Sequence, residues 1–292
     1  MQSSVILGVD IGGSHITAAL VDISNRKIVE NSLRRERIDS QGSTEDIINA
    51  WAGVLKESLL FSPNSKIVSV AMPGPFDYEN GLSLITGLNK YESLYNLNLR
   101  DLLLKKLQPL AEEIIFTNDA ACFLQGEVFC GAAKDHDRVL GFTLGTGFGS
   151  ATFENQSTEE AGYWKYPFAD SICENYFSSR WFVKRYFELF DRKVANVKEI
   201  VESAGTGNEQ QIIFAEFSHN LSSFLIPLIK NKNYTAIVFG GNIAKAACFF
   251  LPAVQSALTQ NGINVELVVS ELGESSAIIG AASLIQSTAN PS

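Results

Sequence analysis

The sequence predicts an α/β protein made of a duplicated unit, with two lobes facing a shared cleft. Three observations carry this. An apolar strand, a glycine-rich turn and a second β-rich strand occur at 5–14 with 16–21, and again at 138–147 with 150–153. Each copy is followed by another apolar run ending in a turn, 67–71 into Pro73-Gly74-Pro75 and 236–239 into Gly240-Gly241-Asn242. Segments with helical periodicity fill the intervals. At about 150 residues per domain, the chain of 292 residues accommodates two lobes with separate cores.

In order along the chain, residues 5–21 read as a β-hairpin around Gly12-Gly13. Arg34-Arg35-Glu36-Arg37 reads as a solvated edge strand. Thr44-Glu45-Asp46 opens an amphipathic helix to about residue 60, with Thr44 its expected N-cap. After the strand at 67–71, Asn118-Asp119 opens a helix through Phe123, Leu124 and Glu127 to Cys130. Beyond the second hairpin, helical patterns cover 170–190 and 210–229. Within the first of these, Tyr176, Phe177, Trp181, Phe182, Tyr186, Phe187 and Phe190 form an aromatic stripe expected in a core or a subunit interface. Two more helices are expected at 243–258 and 275–285, followed by a disordered tail after Gln286. No Pro/Gly/Ser linker separates the halves. The expected division is a smaller first lobe at 1–117 and a larger second lobe at 118–275, with a C-terminal helix at about 276–287 packing back on the first.

Composition excludes several classes. With 46% hydrophobic residues, 19% charged and 22 Gly, the chain is neither disordered, collagen-like nor coiled coil. A net charge of −9 and a pI near 5.0 argue against a nucleic-acid partner, which would need a basic surface. The N-terminal apolar run lacks a basic flank and is broken by Asp10, unlike a signal peptide. No run reaches the roughly 18 uncharged apolar residues of a membrane span, so a cytoplasmic protein without a membrane partner is expected. Cys122, Cys130, Cys173 and Cys248 are widely spaced, and His15, His136 and His219 do not cluster, so zinc spacing is absent. Free core cysteines are the expectation, and His15 is read as incidental.

The repeated glycine turns have two readings. Glycine adopts positive φ at low cost, which suits a hairpin; it also lets backbone N–H groups approach an anion closely. The same turn twice in one duplicated chain, with Asp10 entering the first, favours phosphate binding.

These residues together resemble the ROK family of sugar kinases and sugar-responsive repressors, within the actin-like (ribonuclease H-like) ATPase superfamily. Asp10-Ile11-Gly12-Gly13-Ser14 is similar to the family's first phosphate motif and Leu144-Gly145-Thr146-Gly147-Phe148-Gly149 to its second. Gly240-Gly241-Asn242 resembles the adenosine motif, Pro73-Gly74-Pro75-Phe76-Asp77 the P-G-P-x-D segment, and Asn118-Asp119-Ala120 the catalytic N-D-A segment. The repressors carry an N-terminal helix-turn-helix, whereas this sequence starts at the first strand, so the kinase branch is expected.

The resemblance implies a role for each position. Asp119 would be the general base facing the sugar 6-hydroxyl; its alternative is a helix cap, shared with Asn118. Asp10 would hold Mg²⁺ through water. Gly12, Gly13, Ser14, Gly145, Thr146 and Gly147 would bind the phosphates of ATP, while Gly240, Gly241 and Asn242 would take the adenosine. Asn89, Asn118, Asp119, Glu160, Tyr163 and Glu174 would form the sugar site. The implied activity is ATP-dependent phosphorylation of a hexose, glucokinase-like. Alternatives are an N-acetylmannosamine or N-acetylglucosamine kinase, or a non-catalytic sugar-binding regulator. Relatives are often dimers, so a homodimer is expected.

One departure stands out. The family's zinc module, a histidine followed by a C-x-C-G-x-x-G-C-x-E run, is missing, and Tyr163 stands where the histidine would be. No zinc is expected, and Tyr163, Trp164, Tyr166 and Phe168 would order the loop by packing. The tyrosine would also alter the pocket around the sugar hydroxyls.

Overall fold

The computed structural model describes residues 5–62, 64–202 and 208–289. The chain begins with strands β1 (Val5–Ile11), β2 (His15–Asp22), β3 (Lys27–Ile28) and β4 (Arg34–Arg37), then helix α1 (Thr44–Leu59) and strand β5 (Ile67–Met72). Next come the short strands β6 (Phe76–Asp77) and β7 (Leu82–Ser83), helix α2 (Leu99–Leu107), strand β8 (Glu113–Asn118) and helix α3 (Asp119–Cys130). Strands β9 (Val139–Leu144), β10 (Phe148–Glu154), β11 (Ser157–Glu160), β12 (Pro167–Phe168) and β13 (Ser171–Ile172) lead into helices α4 (Glu174–Phe177), α5 (Ser179–Phe190), α6 (Val197–Glu202) and α7 (Glu209–Ile229). The chain finishes with β14 (Ala236–Gly240), α8 (Leu251–Gln260), β15 (Glu266–Val269) and α9 (Ser275–Ala289).

Two compact units result, the first comprising 1–130 and 274–292, the second 131–273. In the first, the sheet order is β3-β2-β1-β5-β8, with β4 also on β2; in the second it is β11-β10-β9-β14-β15. Each sheet has an antiparallel hairpin whose first strand pairs in parallel with the next long strand: β1 with β2 and β5, β9 with β10 and β14. The duplication legible in the glycine turns is therefore a duplication of sheet topology. The expected division after 117 and the structural one after 130 differ by α3, which packs on α9 within the first unit.

The contact between α3 and α9 is made backbone to backbone. A Cβ on Gly126 would lie 2.1 Å from the Ser276 carbonyl oxygen, and one on Gly280 would lie 1.7 Å from that of Cys122. Gly8 on β1 likewise leaves room for the Ile278 carbonyl, 2.1 Å from where its Cβ would be. Helix α1 covers the sheet through Ile47, Ile48, Trp51, Val54, Leu55 and Leu59, one buried stripe at helical spacing. Its N-cap is Ser43 instead of the expected Thr44: Ser43, in extended backbone, accepts the Asp46 N–H at 3.2 Å. Thr44, one step inside the helix, donates to the Ser93 carbonyl at 2.7 Å.

Aromatic rings dominate the second core. From the stripe, Phe177, Trp181, Phe182 and Tyr186 are buried, whereas Phe187 is exposed. The expected helix over 170–190 is interrupted: 167–172 form the β12–β13 hairpin, and extended Ser178 separates α4 from α5. The expected 243–258 helix is a 3₁₀ segment, Ala244–Phe249, followed by α8, whose Pro252 lies in the first turn where no N–H donor is needed. α9 extends past Gln286 to Ala289; the rest of the expected tail, 290–292, lies outside the described residues.

Helix α7 is, by length and composition, long and apolar enough to cross a membrane. Glu216 and His219 interrupt it, so no run in it reaches the uncharged apolar length sought in the sequence. Half of its apolar window is buried in the second unit, where Phe214, Phe217, Leu221 and Leu225 join the core.

Candidate functional site

In the first unit, β1 brings Asp10 between Thr17 of β2 and Ala71 of β5, one residue before the strand ends in the turn 12–14. Burial, then the charge of Asp119, pushes the Asp10 carboxyl up to about 7, against the pull of the Arg35 guanidinium. Burial likewise raises Asp119, opposed by the Ala120 N–H and the Lys90 ammonium. The buried Cys122 thiol is raised by burial and by both carboxylates, so Asp10 and Asp119 share one neighbourhood. The basic edge strand thus has more than a solvated role, because Arg35 pairs with Glu274 and acts on Asp10.

Cap and carboxylate at the start of α3 have separate tasks. The Asn118 side-chain oxygen accepts from the Ala120 and Ala121 N–H groups at 2.9 and 3.1 Å, and its amide donates to the Tyr78 hydroxyl at 3.2 Å. Tyr78 in turn donates to the Met72 carbonyl at 3.0 Å. Asn118 therefore caps the helix. Asp119 accepts from Ala120 N–H at 2.9 Å through one oxygen.

The first turn is held from an unexpected direction. Tyr91, fully buried and in left-handed backbone (φ 55), donates from its hydroxyl to the Gly12 carbonyl at 2.5 Å. Its ring packs edge-on against Trp51, with centroids 5.3 Å apart. Asn89, two residues earlier, also has left-handed backbone (φ 54) and an exposed side chain. The intervening Lys90 runs over Gly13, its Cδ 3.8 Å from where a Cβ there would be. Neither Tyr91 nor Lys90 belongs to a glycine or carboxylate motif, so sequence reading has no signal for them.

In the second unit, the turn 145–147 joins β9 to β10. The Gly145 carbonyl accepts from both the N–H and the hydroxyl of Ser179, at 2.8 and 2.9 Å. Glu174 accepts the Phe148 N–H through Oε2 at 3.3 Å and Arg180 Nη2 through Oε1 at 2.6 Å. Glu160 ends β11, opposite Ala151. Gly240 ends β14, and Gly241 and Asn242 follow it beside the same turn: Ile243 N–H bonds the Leu144 carbonyl at 3.0 Å, and left-handed Gly241 (φ 86) has that carbonyl 2.4 Å from its Cβ position. Tight packing thus accounts for Gly241 within the fold.

The Tyr163 ring is buried against Tyr166, Phe142 and Phe224, and its hydroxyl faces the Lys232 ammonium beside Tyr234. Phe168 packs edge-on against Tyr176 and tilted against Phe177, whereas Trp164 and Tyr166 are both exposed. Of the four rings expected to pack the loop, Tyr163 and Phe168 are thus the ones set into the core. Among the described residues no group of three His, Cys, Asp or Glu side chains could hold a metal ion.

The glycines of the two turns are informative for what does not crowd them. None of Gly12, Gly13, Gly145 and Gly147 has left-handed backbone. A Cβ on Gly145 would meet nothing within 4 Å, one on Gly13 only the Lys90 stem, and one on Gly12 the His15 carbonyl at an ordinary 3.6 Å. Within the chain itself, three of the four positions would accept alanine. Open backbone at Gly12, Gly13 and Gly145 suits the close approach of a ligand.

The ROK family model matches residues 6–162 and 169–288. A glucokinase from Thermotoga maritima is 30% identical over 149 residues, a match that spans 51% of this chain and 44% of that protein. An N-acetyl-D-glucosamine kinase from Histophilus somni is 25% identical over 96% of this chain and 98% of that protein. The crystal structure of a ROK family glucokinase from Streptomyces griseus in complex with glucose and AMPPNP superposes with a TM-score of 0.75 at 21% identity, covering 96% of this chain and 98% of that one. With its duplicated sheet, its paired glycine turns and this match along nearly its whole length, the chain belongs to the ROK family, within the actin-like ATPase superfamily.

Proposed function

We propose that the protein is an ATP-dependent sugar kinase that transfers the γ-phosphate to the 6-hydroxyl of a hexose. The observation that carries this reading is the pair of turns at which Gly12, Gly13 and Gly145 are not required by the chain's own packing. In the first unit Asp119 accepts the hydroxyl proton as the new O–P bond forms; the β–γ O–P bond breaks and ADP leaves. One oxygen of the Asp119 carboxylate is left free for this because Asn118 accepts the Ala120 and Ala121 N–H groups that cap the helix, while Asp119 accepts the Ala120 N–H through one oxygen only. In the second unit the turn 145–147 takes phosphate and the loop 240–242 takes adenosine.

Asp10 and Asp119, two buried carboxyls of which Asp119 raises the proton affinity of Asp10, fit a divalent cation, which would relieve that repulsion. Asp10 would hold Mg²⁺ through water, and the ion would neutralise phosphate charge. Asn89, Glu160 and Glu174 are the further groups proposed for the sugar hydroxyls. This reading places the protein in the cytoplasm, where ATP is available.

A second substrate class is favoured by one observation. The similarity to an N-acetyl-D-glucosamine kinase runs the length of both chains, whereas that to the glucokinase covers about half of each. Mg-ATP-dependent ADP release against glucose, mannose, fructose, N-acetylglucosamine and N-acetylmannosamine decides between them. Turnover on one sugar, lost in Asp119→Ala, is the expected result. Folded protein that binds sugar but releases no ADP with any of them would instead be a regulator.

A further inference from the structure

Glu174 and Arg180 are joined on the second glycine turn. One Glu174 carboxylate oxygen accepts the Phe148 N–H at 3.3 Å, and the other accepts Arg180 Nη2 at 2.6 Å. Oε2 stands 3.0 Å from the position of a Cβ on Gly147, so a side chain there would crowd it. An internal anion is thus seated on a backbone donor of the turn, with a guanidinium as its counter-charge.

That pair is not what anchors the turn. The Gly145 carbonyl is fixed by Ser179, and Gly145 N–H bonds the Gly147 carbonyl at 3.0 Å. The Arg180 side chain is 59% exposed, and an ion pair so open to solvent adds little stability. A guanidinium presents the same fork of donors to a phosphate as to a carboxylate. One oxyanion can therefore replace the other without a loss of hydrogen bonds.

We propose that Arg180 is a phosphate-binding residue of this turn, held there by Glu174 until a nucleotide phosphate takes the carboxylate's place at the Phe148 N–H and at the guanidinium. The inference rests on the reading of 145–147 as a nucleotide-phosphate turn. It makes Glu174 a competitor of phosphate as well as a candidate sugar ligand. No covalent bond changes in the exchange.

Calorimetric titration of the full chain with AMPPNP, inorganic tripolyphosphate and adenosine tests it, on the wild type and on Arg180→Ala, Arg180→Lys and Glu174→Gln. Arg180→Ala is expected to weaken AMPPNP and tripolyphosphate about tenfold or more, as for a lost charge-assisted hydrogen bond, and to leave adenosine unchanged. Arg180→Lys should recover part of the loss. Glu174→Gln, which removes the competing anion, should tighten tripolyphosphate several-fold. Equal losses for adenosine and AMPPNP would mean a structural role and overturn the proposal, as would undiminished binding by Arg180→Ala or weaker tripolyphosphate binding by Glu174→Gln. Wild-type protein that binds neither AMPPNP nor tripolyphosphate would overturn the nucleotide reading and this inference with it. Wild-type binding matched by Arg180→Ala overturns the inference alone.

Discussion

The Tyr91 hydroxyl donates to the Gly12 carbonyl at 2.5 Å and so ties the segment carrying Asn89 and Lys90 to the turn that follows Asp10. Burial and the Asp10 charge push the phenol above its ordinary range, so it stays a donor across the working pH. Tyr91→Phe keeps the ring against Trp51 and removes only this bond. Stability should fall by about 1 kcal/mol, read as a lower Tm, and KM for ATP should rise more than kcat falls. A variant indistinguishable from wild type in both would show that the turn is held without it.

Asn118 and Asp119 are adjacent but should fail differently. Asn118→Ala removes the acceptor of two helix N–H groups and should cost about 1 kcal/mol of stability. Asp119→Ala leaves that cap in place and removes a carboxyl that burial raises, so its Tm should not fall at neutral pH while ADP release falls by about 10²-fold or more. Thermal melts run beside turnover assays separate the two. An Asp119→Ala enzyme with near-normal turnover would remove Asp119 from the base role.

Two glycine-to-alanine changes should have opposite signs. Gly53 is exposed within α1 and a Cβ there meets nothing within 4 Å, so alanine should stabilise by up to about 1 kcal/mol. Gly280 has no such room, with the Cys122 carbonyl 1.7 Å from its Cβ position. There alanine must push α9 off α3, and soluble yield and Tm should both collapse. Comparable melts for the two variants would contradict the backbone contact between these helices.

The same glycines show which parts of the molecule could be read in advance. A turn glycine announces itself beside an apolar strand, and so 12–13, 145–147 and 240–241 were legible together with the duplicated topology they punctuate. Gly8, Gly126 and Gly280 sit inside regular elements, where nothing local distinguishes a packing glycine from an incidental one. Only the tertiary contact gives them meaning. Tyr91 and Arg180 were illegible for a related reason: each acts on a turn distant in sequence or across a chain reversal, at no motif spacing. Helix ends were misplaced where several polar residues could cap, as with Ser43 and Thr44, or where one periodic pattern ran across a break, as at Ser178.

Asp10 should make stability depend on pH in a definite direction. Its carboxyl is raised from an ordinary 3.8 to about 7, so the folded state holds the proton more tightly than the unfolded chain across that interval. A group of this kind makes the protein less stable as pH rises from about 4 to 7, and the cost is fully present above that window. Asp10→Asn removes the ionisation. The variant should therefore melt higher than wild type at about pH 8, with the advantage fading as the pH falls toward 4. Mg²⁺ should raise the wild-type Tm at the higher pH, because a ligand that binds only the folded state stabilises it by mass action. It should do much less for the variant, which lacks the charge proposed to hold the ion. A Tm difference that stayed constant across the range would show that Asp10 is already ionised at low pH, and an equal response to Mg²⁺ in both proteins would move the ion away from this carboxylate.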